Sequence, residues 1–200
     1  MPPPATSTQR RRRGAALVEA IHAAALDEAV EAGIDGMTME GIATRARTAK
    51  TSLYRRWSTP AEILMDSLYV TFPVETPSPD ADDLRGDLLR ALKQHKEWLG
   101  TPMAPVVHAI NISGARYADL KKVLYDRVLD ARGSRVTLTV LRHYVAHGVI
   151  DADRVTPMVA DIGEAMMAKI LMDAGRAPSR RELEAIADEV ILPAIGVSDS

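Results

Sequence analysis

Thr38-Met39-Glu40-Gly41-Ile42-Ala43-Thr44-Arg45-Ala46, the turn Arg47-Thr48, and Ala49-Lys50-Thr51-Ser52-Leu53-Tyr54-Arg55-Arg56-Trp57 together decide the fold. Thr38 is a good N-cap, and Met37 before it with Ile42 in the turn after it makes a hydrophobic staple, so a short helix is expected over about 39–46. A second short helix follows within three or four residues, over about 49–57. Two short helices joined by so tight a turn, after a longer helix, make a tri-helical unit of the helix-turn-helix type.

The longer helix lies upstream. Leu17, Ile21, Ala24, Ala25 and Val30 fall near helical spacing over about 12–32, and Gly33 is placed to end the helix with a left-handed residue. Residues 1–11, with Pro2, Pro3, Pro4 and the start of the Arg10–Arg13 run, read as a disordered basic arm. Downstream, Thr59-Pro60-Ala61-Glu62 combines a capping Thr, Pro at the first helical position and Glu at the third. The helix it opens carries Ile63, Leu64, Leu68 and Tyr69, and Pro73, Pro77 and Pro79 forbid its continuation. Further helices are expected over about 84–99, 105–113, 117–131, 135–146, 155–174 and 179–195, punctuated by Gly100, Gly114, Gly133, Gly148 and Gly175. Val136–Val140 has some strand character but reads as helix from its surroundings, so the fold class is all-α.

Composition narrows the chemistry. The 200 residues are 46% apolar and 26% charged, ordinary for a globular protein, and the 2 Trp, 5 Tyr and 1 Phe leave an aliphatic bias that suits helices. The absence of cysteine removes disulfides, thiolate nucleophiles and zinc-thiolate sites. The net charge of −2 is unevenly spread: residues 1–60 hold 9 Lys and Arg against 6 Asp and Glu, and the rest hold 16 against 21. Positive charge concentrated in one part of a nearly neutral chain points to a local anionic partner. Glu19, His22, Asp27 and Glu28 interrupt the apolar stretch after the Arg run too early for an export signal, and no window approaches a membrane span. The cytoplasm is the expected location.

On the second short helix, 100 degrees per residue puts Trp57 about 40 degrees from Leu53, and Thr51 and Arg55 about 160 and 200 degrees from it. Leu53 and Trp57 therefore share a buried face and Thr51 and Arg55 point away, with Tyr54 on one flank and Ser52 and Arg56 on the other. An Arg donates two hydrogen bonds to guanine O6 and N7, and a Thr methyl packs on thymine, which makes Arg55 and Thr51 candidates for reading base edges. Thr38, Lys50, Ser52 and Tyr54 suit phosphates. From Gly41 to Trp57 there are five cations (Arg45, Arg47, Lys50, Arg55, Arg56) and no acidic residue. Arg12 and Arg13, from the run before the first helix, are candidates for adjacent phosphates or a minor groove.

These stretches (Gly33–Ala43, Thr51–Trp57 and Pro60–Leu64) resemble the TetR family of one-component bacterial transcriptional regulators. The resemblance implies that Thr38, Ser52 and Tyr54 contact phosphates and that Lys50, Thr51 and Arg55 enter the major groove of double-stranded DNA. It also implies a homodimer formed by the last two long helices and a small-molecule pocket in the C-terminal bundle. The expected organisation is thus the arm at 1–11, a DNA-binding domain at 12–58 and a ligand-binding and dimerisation domain at 59–200. The chain departs from the family in the inter-helix turn, where Arg47, Thr48 and Ala49 replace the usual Gly, aliphatic residue and Ser, so that either Thr48 or Ala49 caps the reading helix.

Candidate pocket residues are Trp98, Met103, His108, Asn111, Tyr125 and Tyr144, each able to offer an aromatic face, soft packing or a hydrogen bond. Val159, Ile162, Met166, Ile170, Ile186, Val190 and Ile191 are apolar candidates for the dimer interface. His143 and His147 have a spacing that can chelate zinc, but no third ligand is apparent and structural roles are the simpler reading. The expectation is a ligand-responsive repressor without metal or cofactor. An all-α bundle enzyme and a protein-interaction adaptor are the alternatives; a di-iron site takes two Glu-x-x-His motifs, and the sequence has one, Glu19–His22.

Overall fold

The computed structural model describes residues 7–197, with side chains from Gly14 onward. Every regular element among these residues is helical: α1 (Ser7–Ala32), α2 (Met39–Arg45), α3 (Lys50–Tyr54), α4 (Pro60–Thr71), α5 (Leu84–Leu99), α6 (Met103–Ile112), α7 (Ala118–Val123), α8 (Asp130–Arg132), α9 (Val136–Ala146), α10 (Pro157–Ala174), α11 (Arg180–Ala185) and α12 (Leu192–Ala194). The all-α class expected from the sequence is what the chain adopts. Helix α1 starts five residues before the expected 12, because nothing between Ser7 and Arg12 forbids a helix, so residues 7–11 of the expected arm are helical. Residues 1–6 of that arm, and the side chains of Arg12 and Arg13, lie outside the described residues.

The chain divides into two compact units. One holds residues up to Thr71 together with Pro105–Leu124; the other holds Phe72–Ala104 and the residues from Tyr125 onward. In the first, α1 packs against α2 and α4. Ile21, Ala25, Ile42, Leu53, Ile63, Leu64 and Leu68 form its fully buried centre. The compact unit therefore extends past residue 58 through α4, whose start works much as the sequence suggests. Thr59 Oγ1 accepts from Glu62 N at 3.2 Å, but the Glu62 carboxylate reaches back to Ser58 N at 2.6 Å, one residue beyond a strict capping box.

In the second unit α5, α9, α10 and the last helix surround a core of Leu88, Leu92, Val136, Val140, Leu141, Tyr144, Met167, Ile186 and Ile191. Gly163 makes the crossing of α9 and α10 possible: a Cβ there would collide with the Thr137 hydroxyl and press on Leu92 and Ile191. Two expected helices differ from plain α-helix. Leu124–Leu129 and Ile186–Ile191 are π-helical turns linking α7 to α8 and α11 to α12. The second stands just before Pro193, which has no N–H for the carbonyl four residues back and crowds it, so a widened turn fits there.

Candidate nucleic-acid interface

Helix α2 begins where the sequence indicates, with Thr38 Oγ1 accepting from Gly41 N at 2.9 Å. Its exit is a Schellman turn: Thr48 N donates to Ala43 O at 2.9 Å and Arg47 N to Thr44 O at 3.1 Å. Arg47 takes the left-handed position of that motif, with φ 50°. Glycine normally fills it, and a side chain there costs on the order of 1 kcal/mol. Ala49, extended and without a side-chain cap bond, precedes α3, so the register of the reading helix starts at Ala49 and not at Thr48.

Five residues without a cap do not make a stable helix alone. Tertiary anchors hold α3 instead. Leu53 is fully buried and Trp57, just beyond α3, is 6% exposed. The Trp57 indole donates to Asp66 Oδ2 on α4 at 2.7 Å and meets the His22 ring of α1 edge-on at 5.8 Å. Burial holds the His22 imidazole below its ordinary pKa, with nearby Asp66 opposing and Arg56 assisting. With the inner face fixed, Thr51, Arg55 and Arg56 are exposed, Tyr54 is 58% exposed and Ser52 is half-buried. The outward set is the one that helical periodicity indicates.

The local cations divide into two groups. Arg45 is exposed but fully paired: Nε donates to the buried Glu28 at 2.6 Å, and Nη1 and Nη2 to Glu31 at 3.0 and 2.6 Å. These hydrogen bonds, that to Glu31 foremost, raise the Arg45 pKa, and the Glu31 carboxyl is lowered in turn. Arg45 therefore clamps α2 to α1. Gly41 permits the approach, since a Cβ there would collide with the Glu28 carboxylate. Lys50 pairs with Glu40 at 3.1 Å, both largely exposed, which is a weak and displaceable bond. Arg47, Arg55 and Arg56 stand exposed.

The same unit contains a second fixing point. Arg116, in the turn between α6 and α7, donates to Asp35 in the 3-10 turn Ile34–Gly36, and its guanidinium lies 5.5 Å from the centre of the Tyr117 ring. The Tyr117 hydroxyl also bonds Asp35, and that bond raises its pKa.

The candidate pocket residues are dispersed. Asn111 (half-buried) and His108 (exposed) are on α6 in the first unit, and Trp98, Met103, Tyr125 and Tyr144 belong to the second. Tyr144 is structural: its buried hydroxyl donates to Asp87 Oδ2 at 2.6 Å and accepts from Asp83 N at 3.1 Å. Trp98 stacks on His95 at 5.6 Å and lies 4.6 Å from Phe72. Near this stack, sequence reasoning missed a group of polar residues on three helices. His95 Nδ1 on α5, Thr137 Oγ1 on α9 and Glu164 Oε2 on α10 are buried with no hydrogen-bond partner among the described residues. Burial lowers the His95 pKa, with the Glu164 charge opposing. No periodicity marks such a group, because each member sits alone on its helix. His143 Nε2 instead faces Ser78 O at 2.7 Å and His147 Nδ1 faces His143 O at 2.8 Å, the structural roles favoured for this pair.

A short exposed helix carrying Thr, Tyr and Arg outward, seated on two buried anchors behind a tight turn, defines a helix-turn-helix DNA-binding regulator. The profile of the family described as "Bacterial regulatory proteins, tetR family" matches residues 21–65, the stretch from mid-α1 into α4. The chain thus carries the N-terminal DNA-binding region typical of TetR-family regulators. It is 26% identical over 165 residues to an uncharacterized HTH-type transcriptional regulator of Mycobacterium tuberculosis, covering 82% of this chain and 81% of that one. It is 27% identical over 162 residues to the DNA-binding transcriptional repressor TetR of Mycobacteroides abscessus, covering 78% and 82%. The crystal structure of a TetR-family regulator from Mesorhizobium loti shares the fold with a TM-score of 0.59 at 19% identity, over 92% of this chain and 99% of that one. No helix among the described residues is long and apolar enough to cross a membrane.

Proposed function

We propose that the chain is a homodimeric cytoplasmic repressor that grips a pseudo-palindromic operator through α3 and lets go when a small molecule enters the helical bundle of the second unit. It is a regulator on this reading, and not an enzyme. The observation that carries it is the outward face of α3, where Thr51 and Arg55 project opposite the buried Leu53. Arg55 and Thr51 read base edges; Thr38, Lys50, Ser52, Tyr54 and Arg56 hold phosphates, with Arg12 and Arg13 on neighbouring backbone. The DNA-binding role belongs to 12–58 and its support in α4, and the ligand and dimer roles to the remainder.

Dimerisation is supported by α10. Met158 and Met172 are 82% and 67% exposed, and Ile162 and Met166 are half-buried between them, which leaves an apolar stripe on one face. Ile186 and Ile191, candidates for that interface by sequence, are instead buried in the unit's own core. Two reading helices would occupy successive major grooves about 34–36 Å apart. For the effector, His95 Nδ1, on the ring stacked against Trp98, with Thr137 Oγ1 and Glu164 Oε2 supply buried polar atoms, without a partner among the described residues, that a ligand would satisfy.

Selection of bound duplexes from a randomised pool, at two salt concentrations and with Arg55→Ala, tests the reading. A two-fold-symmetric motif is expected, and the variant loses about 1–3 kcal/mol together with preference at one base position. Equal weakening on all sequences makes Arg55 a phosphate contact, and absence of any motif with weak retention at low salt refutes the DNA-reading role.

A further inference from the structure

Arg47 stands at the one position of the α2–α3 turn where a side chain is disfavoured. The Schellman bonds from Arg47 N and Thr48 N lock its backbone at φ 50°, so the strain is built into the turn. No side-chain contact among the described residues compensates for it. The side chain is exposed, and its guanidinium has no hydrogen-bond or ion-pair partner among the described residues, in contrast to Arg45 two residues earlier. Strained residues persist where the surrounding structure dictates them and concentrate at functional sites.

The place of the turn supplies the function. In a helix-turn-helix the N-terminal residues of the reading helix meet the base edges, so the residues that lead into them pass the phosphate wall of the groove. Arg47 is three residues before Lys50, the first residue of α3. A long, always-charged side chain with forked donors suits a phosphate at that edge. Ala49, the cap of α3, has no side-chain hydroxyl to offer the backbone of the DNA, and a cation nearby replaces that class of contact.

We propose that Arg47 is a further DNA-binding residue, a phosphate grip added in the inter-helix turn at the expense of local backbone strain. This rests on the reading of α3 as the DNA-binding helix. Affinity and fold stability should then respond to substitution in different directions. Arg47→Gly relieves the strain and removes the grip; Arg47→Lys keeps the charge and the strain.

The test uses the full chain and a random-sequence duplex of about 30 base pairs, titrated by fluorescence anisotropy from about 0.05 to 0.2 M salt. Arg47→Gly is expected to bind about eightfold more weakly at 0.1 M salt for each protomer engaged, with the slope of log affinity on log salt reduced by about 0.9. Its thermal midpoint should be no lower than that of the parent, because glycine is the preferred residue at this position. Arg47→Lys should keep the parent slope. An Arg47→Gly protein with the parent's affinity and slope overturns the proposal. So does a loss of affinity that comes with a lower melting temperature, or an Arg47→Lys protein that behaves like Arg47→Gly. If the parent chain fails to bind duplex even at the lowest salt, the DNA-binding reading itself fails first.

Discussion

Helix α3 is five residues long with no capping side chain, so its orientation depends on what holds it from behind, and Trp57 is the most specific part of that hold. Replacing Trp57 with Phe removes a 2.7 Å hydrogen bond to the carboxylate of Asp66 and leaves a smaller ring at a site 6% exposed. A hydrogen bond to a charged acceptor contributes about 1.5–3 kcal/mol. Lost packing where the indole was larger adds about 1–2 kcal/mol. The total, about 2.5–5 kcal/mol, approaches the whole stability of a marginal domain. Urea unfolding followed by far-UV circular dichroism measures it, and a cycle with Asp66→Ala and the double variant isolates the bond. The expected coupling is about 1.5–3 kcal/mol. A coupling below about 0.5 kcal/mol, within the error of additivity, refutes the claim that this bond fixes α3. Operator affinity should fall in Trp57→Phe although no group facing the DNA has changed.

Tyr144→Phe leaves Asp87 without its phenol donor and should destabilise the second unit by about 1.5–3 kcal/mol in urea melts followed by Trp98 fluorescence; an unchanged midpoint contradicts the structural role assigned to Tyr144. Gly163→Ala should cost about 1–3 kcal/mol as the new methyl meets the Thr137 hydroxyl, and a neutral result means that α9 and α10 can move apart freely. His22 and His95 both have folded-state pKa values held below the ordinary value by burial. The unfolded chain therefore binds more protons below about pH 6.5, so the stability these imidazoles contribute is complete above that pH and is lost as pH falls through it. Thermal midpoints between about pH 8 and 5.5 should decline on acidification, less so in His22→Leu, and a flat profile for the parent contradicts the assignment.

Much of the head was legible because its signals are local. Thr38 caps α2 through a bond three residues away, and Leu53 with Trp57 define a face by spacing alone. The π turns were not legible, since they express how a helix accommodates its neighbours in the core and, at Ile186–Ile191, a proline beyond it. The start of α1 was misplaced for the opposite reason: a polar, arginine-rich run has no apolar period to betray a helix.

Charge was the least legible property of the site. Counting five cations between Gly41 and Trp57 treats them as equivalent, yet two neighbours in that count have contrary roles. Arg45 projects from the last turn of α2 back toward α1, where Glu28 and Glu31 wait at one helical turn's spacing, and its charge is consumed in holding the head together. Arg47, two residues on, has a left-handed backbone and keeps its charge exposed. Sequence supplies the sign and number of charges, but the ion pairs made in the fold determine which of them an anionic partner meets. The distinction is measurable: Arg45→Met should act through stability, with little change in the salt slope of the remaining folded protein, whereas Arg47→Gly should act through the slope.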